Sequence, residues 1–244
     1  MTKQQKQEVT IKPKAGVAVN SMSSAAEQAH KAFEGSAVNL IIARLMVKNE
    51  GSTHLAPYNL DDGDIVDTLN YTILAKLGDK ISMVPFHSRS VWIVSEVDKK
   101  GEEFVGYEDF TGERLPYEED AGNGVTTKRS LGIQVFMLIC SEIAEGVAMP
   151  YAFTFKKSSA TAGKKLNTIM YMKNKMAKRA PWASVIDFFS IERSHAKGEY
   201  CTVDIQQNNE RGANQAELDA AEFWYNKMVS NEITVDEATG EIVE

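Results

Sequence analysis

The stretch Tyr151-Ala-Phe-Thr-Phe-Lys156 alternates aromatic residues with small or polar ones, which is the period-two pattern of a β-strand. On such a strand Tyr151, Phe153 and Phe155 share one face. Directly after it, Ser158 or Ser159 can cap a helix that starts near Thr161. The sequence therefore predicts an aromatic strand that leads straight into a helix.

The same strand opens a basic segment, residues 151–186, which contains eight Lys or Arg residues and no Asp or Glu. The whole chain carries 27 basic and 34 acidic residues. Because all 34 acids lie outside this segment, the segment is strongly basic and the rest of the chain is strongly acidic. A cationic region on an anionic protein is typical of a site that binds a polyanion. A solvated helix face is the alternative, although such faces usually mix Glu with Lys. The eight cations are Lys156, Lys157, Lys164, Lys165, Lys173, Lys175, Lys178 and Arg179.

A helical projection of residues 161–179 separates apolar from basic side chains. Leu166, Ile169, Met170 and Met176 fall on one side. Most of the cations fall on the other, and only Lys173 falls toward the apolar side.

The chain has 244 residues and 43% hydrophobic residues, which is typical of a globular protein. Cys140 and Cys201 lack metal-ligand spacing and are expected as buried thiols in a reducing compartment. The first residues are polar, and the longest apolar run, residues 135–140, is too short to span a bilayer. These features predict a cytoplasmic protein without membrane contact.

Periodicity and turn residues divide the rest of the chain. Residues 1–22 are predicted to be a flexible N-terminal arm, 23–230 a single domain, and 231–244 a disordered acidic tail. An acidic insertion at about 96–124 is predicted as a hairpin and loop that ends in a flexible connection. Helices are expected at 25–33 and 215–229, and strands at 37–48, 71–77, 80–86, 90–97, 132–141, 185–192 and 199–206.

The sequence contains partial matches to several metal-binding and nucleotide-binding motifs, but none of these matches is complete. The acidic run Asp61-Asp-Gly-Asp64 does not have the spacing of a calcium-binding loop. The stretch from Ser158 to Lys165 departs from a nucleotide-binding P-loop at two positions, although amides at this helix start can still hold a phosphate of nucleic acid. The four histidines are scattered. We therefore predict no metal, no cofactor and no enzymatic activity.

The pattern resembles the single-stranded DNA-binding proteins of tailed bacteriophages, which have an oligonucleotide-binding (OB) barrel and an acidic C-terminal tail. The resemblance covers roughly residues 38–205. It rests on Gly63-Asp-Ile-Val-Asp-Thr68, on Pro150-Tyr-Ala-Phe-Thr-Phe155 with Ser158 and Lys164-Lys165-Leu166-Asn167, and on the tail. The chain departs from the family in its 96–120 insertion and in ending Glu241-Ile-Val-Glu244, without a terminal aromatic residue.

The resemblance implies a mainly β protein with added helices (α+β): an OB-like five-stranded barrel with a helical insertion, an extra hairpin and a C-terminal helix. It also implies a groove that follows a phosphate backbone while aromatic rings stack on bases. The eight cations are the expected phosphate contacts, and Tyr151, Phe153 and Trp182 the expected base contacts. A strand face of aromatic residues is more often core, as is Trp92, so Trp182 is the favoured stacking residue.

The predicted function is non-catalytic binding of single-stranded DNA, largely independent of sequence, in phage DNA replication or recombination. The acidic tail is expected to compete for the basic groove and to recruit replication or recombination proteins. A homodimer is possible. The alternatives are a phage structural or assembly protein that docks through its basic helix, and an accessory subunit or nuclease-like enzyme acting on DNA.

Overall fold

A computed structural model describes residues 42–52, 55, 57–99, 101–196 and 198–229, and the backbone of 234–235 and 242–243. The predicted N-terminal arm and the predicted helix at 25–33 lie outside the described residues. All described residues belong to one unit of the chain, Ala37–Glu244.

Most strands follow the apolar and alternating runs of the sequence, whereas β5 and β6 are acidic and largely exposed. They are β1 (Ala43–Val47), β2 (Ile65–Asp67), β3 (Ile73–Ala75), β4 (Ile81–Asp98), β5 (Gly101–Asp109), β6 (Glu118–Gly122), β7 (Val125–Ile139), β8 (Pro150–Phe155), β9 (Ser184–His195), β10 (Gly198–Gly212), β11 (Thr234–Val235) and β12 (Ile242–Val243).

The described helices are α1 (Cys140–Ala144), α2 (Ala160–Asn167) and α3 (Gln215–Val229). A 3-10 turn, Lys157–Ser159, leads into α2, and the Ser159 hydroxyl bonds the backbone of Lys156 there. A π-helical segment, Thr168–Lys173, and a last α-helical turn, Asn174–Met176, continue α2. We call residues 157–176 the basic helix. Helix α2 begins at Ala160, within one residue of the predicted start near Thr161, but the side chain of its N-cap, Ser159, makes no capping hydrogen bond to it.

The main sheet has the order β10-β9-β4-β7-β8-β1-β2-β3. Strands β4, β7 and β8 are antiparallel neighbours, and β9 returns beyond the basic helix to lie beside β4. This arrangement of four strands is a Greek key. Because β1 runs parallel to β8, the sheet is mixed.

The sheet curls into a half-barrel, and Asn49 connects its two sides. The Asn49 side chain accepts a hydrogen bond of 2.6 Å from the Cys201 amide in β10 and donates one of 3.1 Å to the Cys201 carbonyl. The chain is therefore mainly β with a few helices, as predicted for its fold class.

The core fills the concave side of this half-barrel. It combines strand residues such as Met137, Phe155 and Phe188 with Leu166 and Met170 of the basic helix, all completely buried. The basic helix therefore closes the core and presents its remaining surface to solvent.

The opposite face of the sheet is covered by α3. Its Trp224 is buried and donates a hydrogen bond of 2.6 Å to the Ala148 carbonyl. The helix start is fixed by a capping box in which Asn214 and Glu217 exchange side-chain-to-backbone hydrogen bonds of 3.0 and 2.8 Å. Ala221 is buried like Trp224, and Leu218 and Phe223 are half-buried.

Strands β4 and β7 extend beyond the half-barrel and form an acidic arm with β5 and β6. Two strands were expected at 80–86 and 90–97, and this prediction is wrong because β4 is continuous. A β-bulge between Pro85 and His87 bends the strand without ending it.

The connection predicted to be flexible at 120–124 is a tight hairpin turn. Gly122 pairs with Val125, and the two residues between them, Asn123 and Gly124, have φ angles of 55° and 77°. Positive φ at both central residues is the type I′ geometry that matches strand twist, and Asn-Gly favours it.

Other expectations have mixed outcomes. Cys140 and Cys201 are buried free thiols, as predicted, and Trp92 is buried as well. Within the tail the structure describes only β11 and β12, which pair with each other, so its predicted disorder stays a prediction. No helix in the described part of the chain is long and apolar enough to cross a membrane.

Candidate nucleic-acid interface

The basic helix is anchored closely to strand β8. A Cβ atom added at Gly163 would lie 2.7 Å from the Phe155 Cβ and 2.9 Å from its Cγ. A glycine is therefore required at this crossing, because any larger residue pushes the helix away from the core. This close approach fixes which face of the helix is exposed.

The π-helical segment sets the orientation of the second half of the helix. A π turn holds an extra residue, so the side chains after it are rotated from their α-helical positions. Lys173, expected toward the apolar side, is exposed, and the following Asn174 is completely buried. Met176, expected inward, is 82% exposed. The prediction for Met176 is wrong because regular α-helical winding was assumed.

Asn174 ties the end of the basic helix to the loop before β9. Its side chain donates a hydrogen bond of 2.8 Å to the Pro181 carbonyl and accepts one of 2.9 Å from the Ser184 hydroxyl. A buried amide with both groups satisfied stabilises one geometry of this loop. The loop carries Lys178 and Arg179.

All eight cations of the basic segment are exposed. Within the described residues Lys165 is the one of the eight that forms an ion pair, with Asp204 at 3.6 Å. Most of the described cations outside the basic segment are ion-paired. Ion pairs are formed by Lys48, Lys76, Lys80, Arg89, Lys128, Arg129 and Arg211.

Two of the eight cations, both lysines, occupy backbone conformations that favour glycine. Lys157 has a φ of 47° and Lys178 a φ of 53°. Lys178 ends the basic helix in a Schellman-type turn, in which the Arg179 amide donates a hydrogen bond of 2.8 Å to the Asn174 carbonyl. A lysine at such a position costs stability relative to glycine, which is consistent with a role for its charge.

Two of the three predicted stacking residues are committed to packing around the core. The Tyr151 hydroxyl donates a hydrogen bond of 2.7 Å to Glu142, and both burial and this bond raise its pKa. The Phe153 ring packs edge-on against Phe155 and Phe188. Trp182, the third, is half-buried with its ring 4.8 Å from that of Tyr225 in α3. None of them stands as a solvated ring beside the cations.

Tyr171 is a solvent-facing aromatic residue that the sequence analysis missed. It lies in the π-helical segment, is 40% exposed, and has Met172 beside it at 60% exposure. The helical projection contained the signal, because residue 171 falls opposite Leu166 at about 100° per residue. The exposed side of the basic helix thus combines cations with an aromatic ring.

A pocket of about 330 Å³ separates the basic helix from strand β10. Lys173 Nζ donates a hydrogen bond of 3.1 Å to Gln207 Oε1 across it, and Lys165 Nζ bonds the Ile205 carbonyl. The lining residues are Lys165, Thr168, Ile169 and Lys173 from the helix, and Gln206, Gln207 and Asn209 from β10. The three amide residues on β10 were not predicted as site residues, because no pattern in the sequence indicates that β10 lies beside the basic helix.

The acidic arm reaches toward the start of the basic segment. The Tyr107 hydroxyl in β5 accepts a hydrogen bond of 3.1 Å from Thr154 in β8. Partial desolvation and the charge of Lys157 lower the pKa of Lys156, while Glu102 of the arm acts in the opposite direction. An anionic surface therefore borders the basic segment at Lys156.

Comparison with known proteins identifies a family. Residues 58–234 match the family described as Pam3 phage gp34-like protein, and this range includes the acidic arm, the basic helix and the pocket. No curated protein and no solved structure matches the chain. The phage origin implied by the sequence resemblance is supported, whereas a relation to single-stranded DNA-binding proteins stays a prediction. Since the match covers well over half of the sequence, the chain belongs to the Pam3 phage gp34-like protein family.

Proposed function

We propose that this phage protein binds single-stranded DNA along its basic helix, without catalysis and largely without sequence preference. The observation that carries the proposal is a contrast within the described residues: one of the eight exposed cations of the basic segment forms an ion pair, whereas most cations elsewhere do. Exposed ammonium groups without carboxylate partners favour a polyanionic ligand, since binding then releases counterions without breaking ion pairs.

The topology supports an OB-like barrel as the scaffold. The OB fold is a partly open, five-stranded Greek-key barrel. Here β9, β4, β7 and β8 form a Greek key, and β10 extends it to five strands. The basic helix lies between the third and fourth of these strands in the chain, as a helical insertion.

The acidic arm restricts where DNA can bind. In OB folds the loop between the first two barrel strands often contacts the nucleic acid. In this chain the corresponding connection, between β4 and β7, is the arm, which carries acidic side chains such as Glu102, Glu103 and Glu108. Repulsion of phosphates by this arm supports a path along the basic helix instead.

A pair of double variants tests the proposal. Lys164→Gln with Lys175→Gln removes two exposed cations of the basic helix, and Lys99→Gln with Arg114→Gln removes two exposed cations of the arm. Binding to labelled oligo-dT, measured by fluorescence anisotropy across a salt series, is expected to weaken only in the first pair. For the Lys164→Gln and Lys175→Gln variant, the slope of log affinity against log salt concentration should become less steep by about 1.4.

The same assay separates the alternatives. Parallel titrations with duplex DNA and RNA define the preferred nucleic acid, and incubation with magnesium tests for the cleavage that a nuclease-like enzyme would show. Equal loss of affinity in both double variants would contradict a specific role for the basic helix.

An assembly protein is the second candidate, and the acidic arm favours it. The arm exposes apolar side chains, including Tyr117 at 61% and Val105 at 45%, beside its carboxylates. Such a surface suits a basic protein partner. A chain with this function would form defined oligomers and would show no affinity for any oligonucleotide.

The acidic tail belongs to the proposal as a competitor. It carries negative charge that can occupy the basic groove in the free protein and be released to replication or recombination proteins when DNA binds. Removing residues 231–244 is expected to raise affinity for oligo-dT at low salt. Unchanged affinity would rule out the competition.

A further inference from the structure

Two irregular stretches of backbone meet at the pocket between the basic helix and β10. The π-helical segment supplies Ile169 and Lys173 to one wall. On the other wall, the pairing of β10 with β9 loses its register between Gln207 and Gly212, which places Asn209 in a bulge. π-Helical turns and β-bulges both concentrate at functional sites, where they redirect particular side chains.

The bulge is held by specific hydrogen bonds. The Asn208 side-chain oxygen accepts bonds of 3.0 and 3.2 Å from the amides of Glu210 and Arg211. Its amide nitrogen donates a bond of 3.1 Å to Asp187 in β9. The strand wall of the pocket is thus fixed, and the exposed side chains of Gln206 and Asn209 are presented beside it.

The lining combines three kinds of chemistry. Lys165 and Lys173 contribute ammonium groups, each with three N–H donors. Lys165 uses one donor on the Ile205 carbonyl, and Lys173 uses one on the Gln207 side chain. Asp204 lies 3.6 Å from Lys165 and offsets part of the positive charge. The amides of β10 offer both donors and acceptors, and Ile169, which is 2% exposed, forms part of the apolar floor.

We propose that this pocket binds one nucleoside phosphate unit. The phosphate lies between Lys165 and Lys173, and the base edge meets the amides of Gln206 and Asn209. The volume of about 330 Å³ is near the lower end of the usual range for ligand pockets, so it suits a single unit. If that unit is part of a bound DNA strand, the inference rests on the proposed function. The pocket then gives the DNA-binding surface a base preference at one nucleotide position.

The test uses a double variant that removes the exposed amides, Gln206→Ala with Asn209→Ala. The matched control, Gln215→Ala with Asn226→Ala, removes one exposed Gln and one exposed Asn from α3. Both are compared with the wild-type chain for binding of the four deoxynucleoside 5′-monophosphates by calorimetry, and of short oligo-dA, oligo-dC and oligo-dT by anisotropy. Urea midpoints confirm that all variants fold.

The wild type and the control are expected to distinguish the tightest from the weakest oligonucleotide by about fivefold or more. The pocket variant should lose this discrimination and keep its salt dependence. Oligonucleotide binding without discrimination, or with discrimination that survives in the pocket variant, would overturn the pocket assignment and leave the proposed function standing.

The monophosphates identify the source of the ligand. If they bind, if this binding is lost in the pocket variant, and if no oligonucleotide binds, the pocket takes a free nucleotide and the proposed function fails. If neither monophosphates nor oligonucleotides bind, both proposals are overturned.

Discussion

The ammonium of Lys173 donates a hydrogen bond of 3.1 Å to the side-chain oxygen of Gln207 and so joins the basic helix to strand β10. Regular α-helical winding would turn Lys173 toward the core. The π-helical segment rotates it outward and buries Asn174 in its place. The position of this cation therefore depends on a local irregularity of the helix.

Replacing Lys178 by glycine separates charge from backbone strain. Because Lys178 has a φ of 53°, Lys178→Gly is expected to stabilise the fold by about 0.5–1 kcal/mol, measured by urea denaturation. The same variant should bind oligo-dT more weakly at low salt, since it lacks one cation. Asn123→Gly, which changes a positive-φ residue in the arm, should leave affinity unchanged. Wild-type affinity in Lys178→Gly would remove this lysine from the interface.

Tyr171 is expected to stack on a base. Base–aromatic stacking contributes about 1–3 kcal/mol, so Tyr171→Leu should weaken oligo-dT binding by about fivefold or more. Tyr117→Leu is the matched control, because Tyr117 is also an exposed tyrosine but lies in the acidic arm. Anisotropy titrations of both variants check this. Similar affinities in the two would show that the Tyr171 ring is not a base contact.

Gly163 permits the contact between the basic helix and β8. In Gly163→Ala the new methyl group meets the Phe155 side chain at 2.7 Å, so the helix must shift, and a loss of about 1–3 kcal/mol in unfolding free energy is expected. Gly106→Ala serves as control, since a Cβ there has no atom within 4 Å. Equal stability of the two variants would contradict the close packing of helix on strand.

Glu217 makes stability depend on pH. Burial alone raises the pKa of this carboxyl, but hydrogen bonds from Arg211, the Asn214 amide and Cys140 outweigh burial and lower it. A lowered pKa in the folded state means that the carboxylate stabilises the fold above its unfolded pKa, and that this contribution is lost as pH falls through the folded pKa.

The variant Glu217→Gln is therefore expected to be about 1–3 kcal/mol less stable near neutral pH, since two charge-assisted bonds of 2.7 and 2.8 Å to Arg211 are weakened. Its stability should change less than that of the wild type as pH falls below about 4.5. Urea midpoints across this range measure both effects. Glu222→Gln, an exposed position on α3, is the control, and parallel pH profiles of wild type and Glu217→Gln would refute the assignment.

Much of the fold follows from local patterns in the sequence. The alternation at Tyr151–Phe155 predicted β8, and the serines after it predicted the start of the basic helix. What could not be predicted depends on distant contacts or on rare backbone geometry. The continuity of β4 requires the bulge at Pro85, and the exposure of Lys173 requires a π turn that no propensity signals.

The candidate site shows the same division. The exposure of Lys164, Lys165 and Lys175 followed from the helical projection, whereas that of Lys173 did not. The pocket did not, because Gln206, Gln207 and Asn209 reach it only through the pairing of β10 with β9 and the bulge that follows. Phe153 illustrates the reverse case, in which an aromatic residue beside cations serves the core.

The salt dependence of oligo-dT binding tests the proposed DNA-binding role of the basic segment most directly. If about six phosphates are neutralised by the basic segment, log affinity should fall against log salt concentration with a slope near −4. Anisotropy titrations of the full chain across a salt series measure this slope. A flat response, or no binding at the lowest salt concentration, would contradict the claim that the exposed cations hold a phosphate backbone.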